Sequence, residues 1–263
     1  SVPAAVDAVL RENLFGLELD ARCTQIAAFN LALAAWKIAG FRPLPPMHLA
    51  CSGMAVGSTR EQWMQMLAKQ GSSDLRFFFG QLYDLFSKAP TLGSLINPHR
   101  FFGSGMVDKV GMEKLFGALT VSMAETENQV PERHELGITA QGLTKAGELL
   151  AGKYHLVLTN VPYLGRGKQD DILRKHLEEQ YPLAKADLAT AFIFRSLEFC
   201  VEGGSTALVT PQNWLFLTTY TKMRQNLLEQ RVWNLVARLG EHAFESSAAA
   251  GAFAAMVILS ASY

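Results

Sequence analysis

Asn160-Val161-Pro162-Tyr163 is the tetrapeptide best suited to chemistry in this chain. It places a carboxamide, a proline-bounded peptide and a phenol directly behind the apolar run Tyr154-His155-Leu156-Val157-Leu158-Thr159. In open α/β sheets ligands collect beyond the carboxyl ends of strands, so the position suits binding. Alone, the pattern is also ordinary turn chemistry, because Asn and Pro both favour turns. Its context adds weight. The run Leu14-Phe15-Gly16-Leu17-Glu18-Leu19 precedes it and carries one acid near its far end, and a helix, Gly203-Gly204, a strand and Pro211 come after it. The Glu18 carboxylate can accept hydrogen bonds at a strand end, or it can be a solvated acid at a helix start, favoured by the helix dipole. Arg166, Lys168, Arg174 and Lys175 lie just after the box, where a basic loop could touch phosphates. Asp170, Asp171, Glu178 and Glu179 offset them, and a solvated mixed-charge helix is the preferred reading.

The elements that must position these residues are set by local pattern. In the first stretch, 1–56, the chain reaches an apolar strand within about ten residues. Asp20 caps an Ala/Leu-rich helix from Ala21 to Ile38, Gly40 sits at its C-cap, and Met47 to Cys51 is a second strand. Strand, helix, strand is the unit of a parallel sheet. The second stretch, 57–150, reads as a mainly helical insertion. Ser58-Thr59-Arg60-Glu61 opens a helix through Lys69, and Leu75 to Ser87 carries Phe78, Leu82, Leu85 and Phe86 at helical spacing. Gly and Pro then break the chain, and there are further helical pieces near 112–124 and 139–150. Its aromatics are read as a small core rather than a base-stacking platform. The third stretch, 151–263, alternates again. Asp187 caps a helix from Leu188 to Cys200, Ser205 to Thr210 is a strand, Tyr220 to Leu228 a helix, and Trp233 to Leu239 and Ala254 to Ser260 are strands. The fold class expected is α/β.

Composition bounds the function. Apolar residues make up 49% of the 263 residues and charged residues 18%, enough for a sizeable core and not a disordered profile. Twenty-four basic residues balance twenty-four acidic ones, which argues against a polybasic binder but not against a nucleic-acid enzyme. Cys23, Cys51 and Cys200 form neither a disulfide framework nor a zinc signature, so a reducing cytoplasm is expected and no metal is. There is no signal pattern, and the Ala-rich run 248–261 is shorter than the about 20 residues a membrane helix needs. The chain opens with Ser1-Val2-Pro3 rather than Met and is expected to be a piece of a longer polypeptide.

Taken in order, these segments resemble the S-adenosylmethionine-dependent amino-group DNA methyltransferases, most closely the adenine-N6 branch of the gamma class. That family carries an Asn-Pro-Pro-Tyr/Phe box at the end of the fourth strand of a Rossmann-like, three-layer αβα sheet, here incomplete at its N-terminal side. Phe15-Gly16-Leu17-Glu18-Leu19-Asp20 resembles the segment whose acid holds the cofactor ribose. Asp187 through Gly203-Gly204 to Pro211 resembles the helix and strand after the box. Leu239-Gly240-Glu241-His242-Ala243-Phe244 resembles a later segment that helps enclose the target base. The resemblance covers roughly 14–56 and 154–260.

It implies a defined chemistry. The adenine amine is a poor nucleophile because its lone pair is delocalised. Two acceptors, the Asn160 side-chain oxygen and the Val161 carbonyl, would draw on its protons, with placement and electrostatics doing most of the catalysis. The base leaves the duplex and is held by stacking on Tyr163, with Phe244 as a second wall. Val161 stands where the family usually has Pro; the acceptor is a backbone carbonyl, and Val161 still precedes Pro162, which biases it to extended geometry. Glu18, Ser52 and Asp187 are the implied cofactor contacts. No glycine-rich cofactor loop lies among the seventeen residues before Glu18, and Phe102-Gly103-Ser104-Gly105 lacks a preceding strand, so this stretch alone is expected to bind cofactor poorly. The implied partners are double-stranded DNA with a flipped adenine and a specificity domain or subunit outside the chain, in a restriction-modification or phage-defence protein. Methylation of another amine (cytosine N4, or a protein glutamine) and a non-catalytic scaffold of the same fold are the alternatives.

Overall fold

A computed structural model of the chain describes residues 1–57, 59–66, 80–81, 83–102, 131–240 and 253–261. It divides into two compact units, Ser1–Ala151 and Gly152–Tyr263. The expected insertion, 57–150, falls within the first unit together with the first two strands.

The first unit opens with helix α1 (Val2–Glu12), ahead of the early strand expected over Leu14–Leu19. Pro3 suits a first helical turn, and Val2, Val6, Val9 and Leu10 recur at helical spacing. Arg42 holds this helix in place, pairing with Asp7 at 2.8 Å and donating to the Pro3 carbonyl at 3.1 Å. Strand β1 (Phe15–Glu18), helix α2 (Ala21–Ala39) and strand β2 (His48–Cys51) then appear as read from the sequence. Asp20 caps α2 by accepting the Arg22 N–H at 2.8 Å, and Gly40, at φ +78°, ends it. β1 and β2 pair in parallel, with Glu18 opposite Cys51. The described helices of the rest of this unit are α3 (Arg60–Met66), α4 (Ala89–Leu92), α5 (Pro98–Phe102) and α6 (Pro131–Ala151). Trp63, Phe86, Leu95 and Leu143 are almost fully enclosed, which gives the region its own core. The helical piece expected near 112–124, the glycines Gly103 and Gly105, and residues 75–79 and 82 of the helix expected over 75–87 lie outside the described residues, while 80–81 and 83–86 are helical.

The second unit carries β3 (Tyr154–Asn160), α7 (Asp171–Gln180), α8 (Leu188–Phe199), β4 (Cys200–Pro211), α9 (Thr221–Gln230), β5 (Arg231–Gly240) and β6 (Ala254–Ala261). The sheet order is β3-β4-β6-β5; β3 and β4 are parallel, and β6 runs antiparallel to both its neighbours. The α/β alternation expected of this stretch is therefore present.

Partners across a ladder share a face. Thr206, Leu208 and Thr210 pair with Leu259, Val257 and Ala255, and all six are buried. Helix α8 packs on β4, β3 and β6. Nearly all of α8 is buried, including Arg195 at 1% exposure. That cation lies 3.7 Å from the Phe199 ring and 3.5 Å from Glu198, which offsets its desolvation. The opposite face of the sheet shows Leu156, Leu158 and Met256 to solvent.

Candidate active site

Asn160 is the last residue of β3 and lies opposite Val209 of β4. The Val161 N–H extends the ladder by one bond, donating to the Val209 carbonyl at 3.2 Å. The Val161 side chain is buried at 2% exposure, whereas Asn160 and Pro162 are exposed. Val at the position where the family usually has Pro thus supplies a donor that Pro lacks.

Beyond the box the chain is tied to the start of α8. Gly165 forms an antiparallel bridge with Asp187. The Leu188 N–H donates to the Leu164 carbonyl at 3.0 Å, and the Arg166 N–H to the Ala186 carbonyl at 2.9 Å. Asp187 Oδ1 accepts the Ala189 N–H at 2.8 Å as helix cap and the Leu164 N–H at 3.4 Å. Gln169, buried, donates to the Leu164 carbonyl at 3.2 Å. The loop carrying Tyr163 is therefore held by backbone bonds on both sides. Burial pushes the Asp187 carboxyl up, although the Ala189 and Leu164 N–H groups pull it down. Burial and the nearby Asp187 charge also push the Tyr163 phenol up, so the ring stays neutral at physiological pH.

Tyr163, 37% exposed, opens into a cavity of about 450 Å³, ample for a nucleotide. Its walls include Gly165, Lys168, Asp187, Pro211, Asn213 and Phe253. Asn213 and Phe253 were not singled out from sequence. Asn213 comes just after Pro211, beyond the carboxyl end of β4, and the strand-end rule that picked Asn160 applies to it equally. Phe253 is brought there by the β4–β6 pairing, and the Gln212 N–H donates to its carbonyl at 2.9 Å. Phe244, expected as a base wall, lies outside the described residues.

In the first unit Glu18 is exposed at the end of β1. Its Oε1 accepts the Leu19 N–H at 2.8 Å and the Asp20 N–H at 3.2 Å, which orients the carboxylate at the strand end. An exposed, oriented carboxylate fits a ribose diol. Ser52 is different. It is fully enclosed, and its hydroxyl donates to the Glu18 carbonyl at 3.2 Å and shares a 3.1 Å bond with Ser94. In this structure the Ser52 side chain faces the protein and braces the strand end. Among the described residues no cluster of acids, His and Cys could hold a metal, and no helix is long and apolar enough to cross a membrane.

Residues 12–244 match the model of the Eco57I restriction-modification methylase family. The chain belongs to that family. Its described elements form a mixed α/β fold, with a two-stranded parallel sheet in the first unit and a four-stranded mixed sheet in the second. It is 29% identical over 243 residues to the adenine-specific methyltransferase PglX of Lacticaseibacillus casei (strain Zhang), covering 92% of this chain and 19% of that protein. It is 26% identical over 258 residues to the adenine-specific methyltransferase BrxX of Escherichia coli O9:H4 (strain HS), covering 90% of this chain and 21% of that one. The chain thus spans about a fifth of the curated relatives it matches. Among solved structures, it is similar to a nuclease-deletion mutant of the Type ISP restriction-modification enzyme LlaGI in complex with a DNA substrate mimic. The TM-score is 0.41 at 11% identity, over all of this chain and 25% of that one. A putative class I S-adenosylmethionine-dependent methyltransferase from Listeria monocytogenes gives a TM-score of 0.36 at 12% identity, over 79% and 70%.

Proposed function

We propose that this chain is catalytic machinery of an enzyme that moves a methyl group from S-adenosylmethionine to the N6 amine of an adenine turned out of duplex DNA. It works within a larger cytoplasmic restriction-modification or phage-defence protein, whose specificity domain or subunit lies outside this stretch. One observation carries the reading: in a member of a methylase family, the Asn-x-Pro-Tyr box sits at the carboxyl end of a parallel strand with its aromatic ring opening into a nucleotide-sized cavity.

The cofactor supplies an electrophilic methyl group on a sulfonium centre. Asn160 Oδ1 and the Val161 carbonyl would accept hydrogen bonds from the two amine hydrogens and concentrate the lone pair on nitrogen; the N–C bond forms as the S–C bond breaks, the thioether leaves, and one amine proton passes to solvent. The Val161 N–H bond to Val209 fixes the preceding Asn160–Val161 peptide, and Pro162 restricts the backbone that bears the Val161 carbonyl. The neutral Tyr163 ring stacks on the base. The Glu18 carboxylate accepts from the ribose hydroxyls of the cofactor.

The test is transfer of labelled methyl from S-adenosylmethionine to DNA by the full-length parent protein, with nuclease-released nucleosides resolved by mass. N6-methyladenine is expected, and Asn160→Ala and Tyr163→Ala should sharply reduce it. N4-methylcytosine alone, or label only in protein, would replace the adenine reading. No label together with no heat of cofactor binding would make the protein a scaffold.

A further inference from the structure

Besides Tyr163, four charged or polar side chains line the cavity; Arg166 pairs with Glu178 and Asp187 caps α8, which leaves two. The first is Lys168, which closes the 3-10 turn Arg166–Lys168. Its basic neighbours are all engaged: Arg166 with Glu178, Arg174 with Asp171, and Lys175 with Glu179 at 3.9 Å. The Arg166 contact also holds the Glu178 carboxyl below its ordinary value. The mixed-charge reading of this segment therefore fits three of its four cations. Lys168 is the exception among the described residues: no carboxylate pairs with it, and it borders the cavity.

The second is Asn213, on the wall contributed by the end of β4. Its backbone is fixed, since its carbonyl accepts from Phe216 at 3.2 Å and Leu217 at 3.0 Å. The turn is anchored from below by Trp214, 1% exposed, whose indole donates to Thr210 Oγ1 at 3.0 Å. The Asn213 residue itself is exposed at the cavity. A carboxamide offers donors and an acceptor together, the set that matches an adenine edge. An ammonium is a point charge suited to phosphate.

We infer that this cavity is a nucleotide pocket in which Lys168 holds the phosphate of the extruded nucleotide and Asn213 pairs with the edge of its base. The inference rests on the proposed reading that the substrate is DNA. Phosphate contacts position without reading sequence, whereas base-edge contacts discriminate, so the two residues have separable signatures.

The experiment is saturation-transfer NMR on the full-length protein with deoxyadenosine 5′-monophosphate, deoxyadenosine and deoxycytidine 5′-monophosphate at millimolar concentration. The wild type should bind the adenine monophosphate severalfold more tightly than deoxyadenosine. Lys168→Ala should erase that advantage while keeping the preference for adenine over cytosine. Asn213→Ala should do the reverse. On duplex DNA, Lys168→Ala should lower the slope of log affinity against log salt by about one. The inference is overturned if neither adenine compound binds, if the phosphate advantage survives Lys168→Ala, or if base preference survives Asn213→Ala. These readouts need no methyl transfer. A protein that passes them and methylates nothing would refute the proposed function alone, and one that methylates DNA but fails them would refute only this pocket.

Discussion

The two strand ends that carry the site residues are built in different ways. At the end of β3, the reactive box is braced by residues downstream of it: Val161 bonds across to β4, and the 164–166 segment is laced to 186–188 by backbone bonds and the Asp187 cap. At the end of β1, the backbone of Glu18 is braced by the end of the neighbouring strand β2. The Ser52 N–H donates to the Glu18 carbonyl at 2.7 Å, the Ser52 hydroxyl reinforces it, and the Cys51 thiol reaches the Leu19 carbonyl at 3.2 Å. One end presents fixed backbone; the other presents an exposed side chain on a supported backbone. A group that must orient the hydrogens of a reacting amine needs the first design. A group that only holds a diol tolerates the second.

The sharpest test of that contrast is kinetic. In the full-length enzyme, Asn160→Ala should lower kcat on the order of 10²–10³-fold with little change in cofactor KM, as for loss of one preorganised transition-state contact. Glu18→Ala should raise cofactor KM and leave kcat nearly intact. Single-turnover assays separate the two, and equal kcat losses would break the comparison. Next in size is Gly53→Ala. A Cβ there would lie 2.3 Å from the Leu19 carbonyl oxygen, so the β1 end should lose about 1–3 kcal/mol of stability in a denaturant titration.

Asp187 tests the other end. Asp187→Ala should cost about 1 kcal/mol through the lost cap and also lower kcat, because the Tyr163 loop loses its tie. Asp187→Asn keeps an acceptor oxygen and should restore most of both. A kcat drop without rescue by Asn would mean that the charge, not the tie, matters. The smallest effect concerns Asp20. Its hydrogen bond to the Arg22 side chain holds the carboxyl at about 2, against an ordinary 3.8. A depressed carboxylate stabilises the fold above its unfolded value and loses that contribution as pH falls toward 2. Carboxyl NMR shifts should place the titration there, and Arg22→Ala should return it toward 3.8.

Legibility in the sequence tracked locality. The box, its strand and the Asp187 cap could be read because a strand, a turn and an N-cap are each written in a few neighbouring residues. Glu18 could be placed at a strand end for the same reason. The enclosure of Ser52 was not legible, because its partner Ser94 is 42 positions away. Asn213 and Phe253 were missed because the wall they share is made by the β4–β6 register, which no local pattern encodes. Helix α1 was missed because its apolar spacing is short and only Leu10 is buried.

The outward face of the four-stranded sheet has a practical consequence. Leu158 is 68% exposed and Leu156 57%, on a strand whose outer edge has no partner among the described residues. Produced by itself, Gly152–Tyr263 would carry a greasy, template-ready border into solution and should self-associate as concentration rises. Exchanging both leucines for threonine keeps β-propensity and leaves the inward Val157 and Thr159 untouched. Such a variant would be the form to concentrate for spectroscopy on the isolated unit.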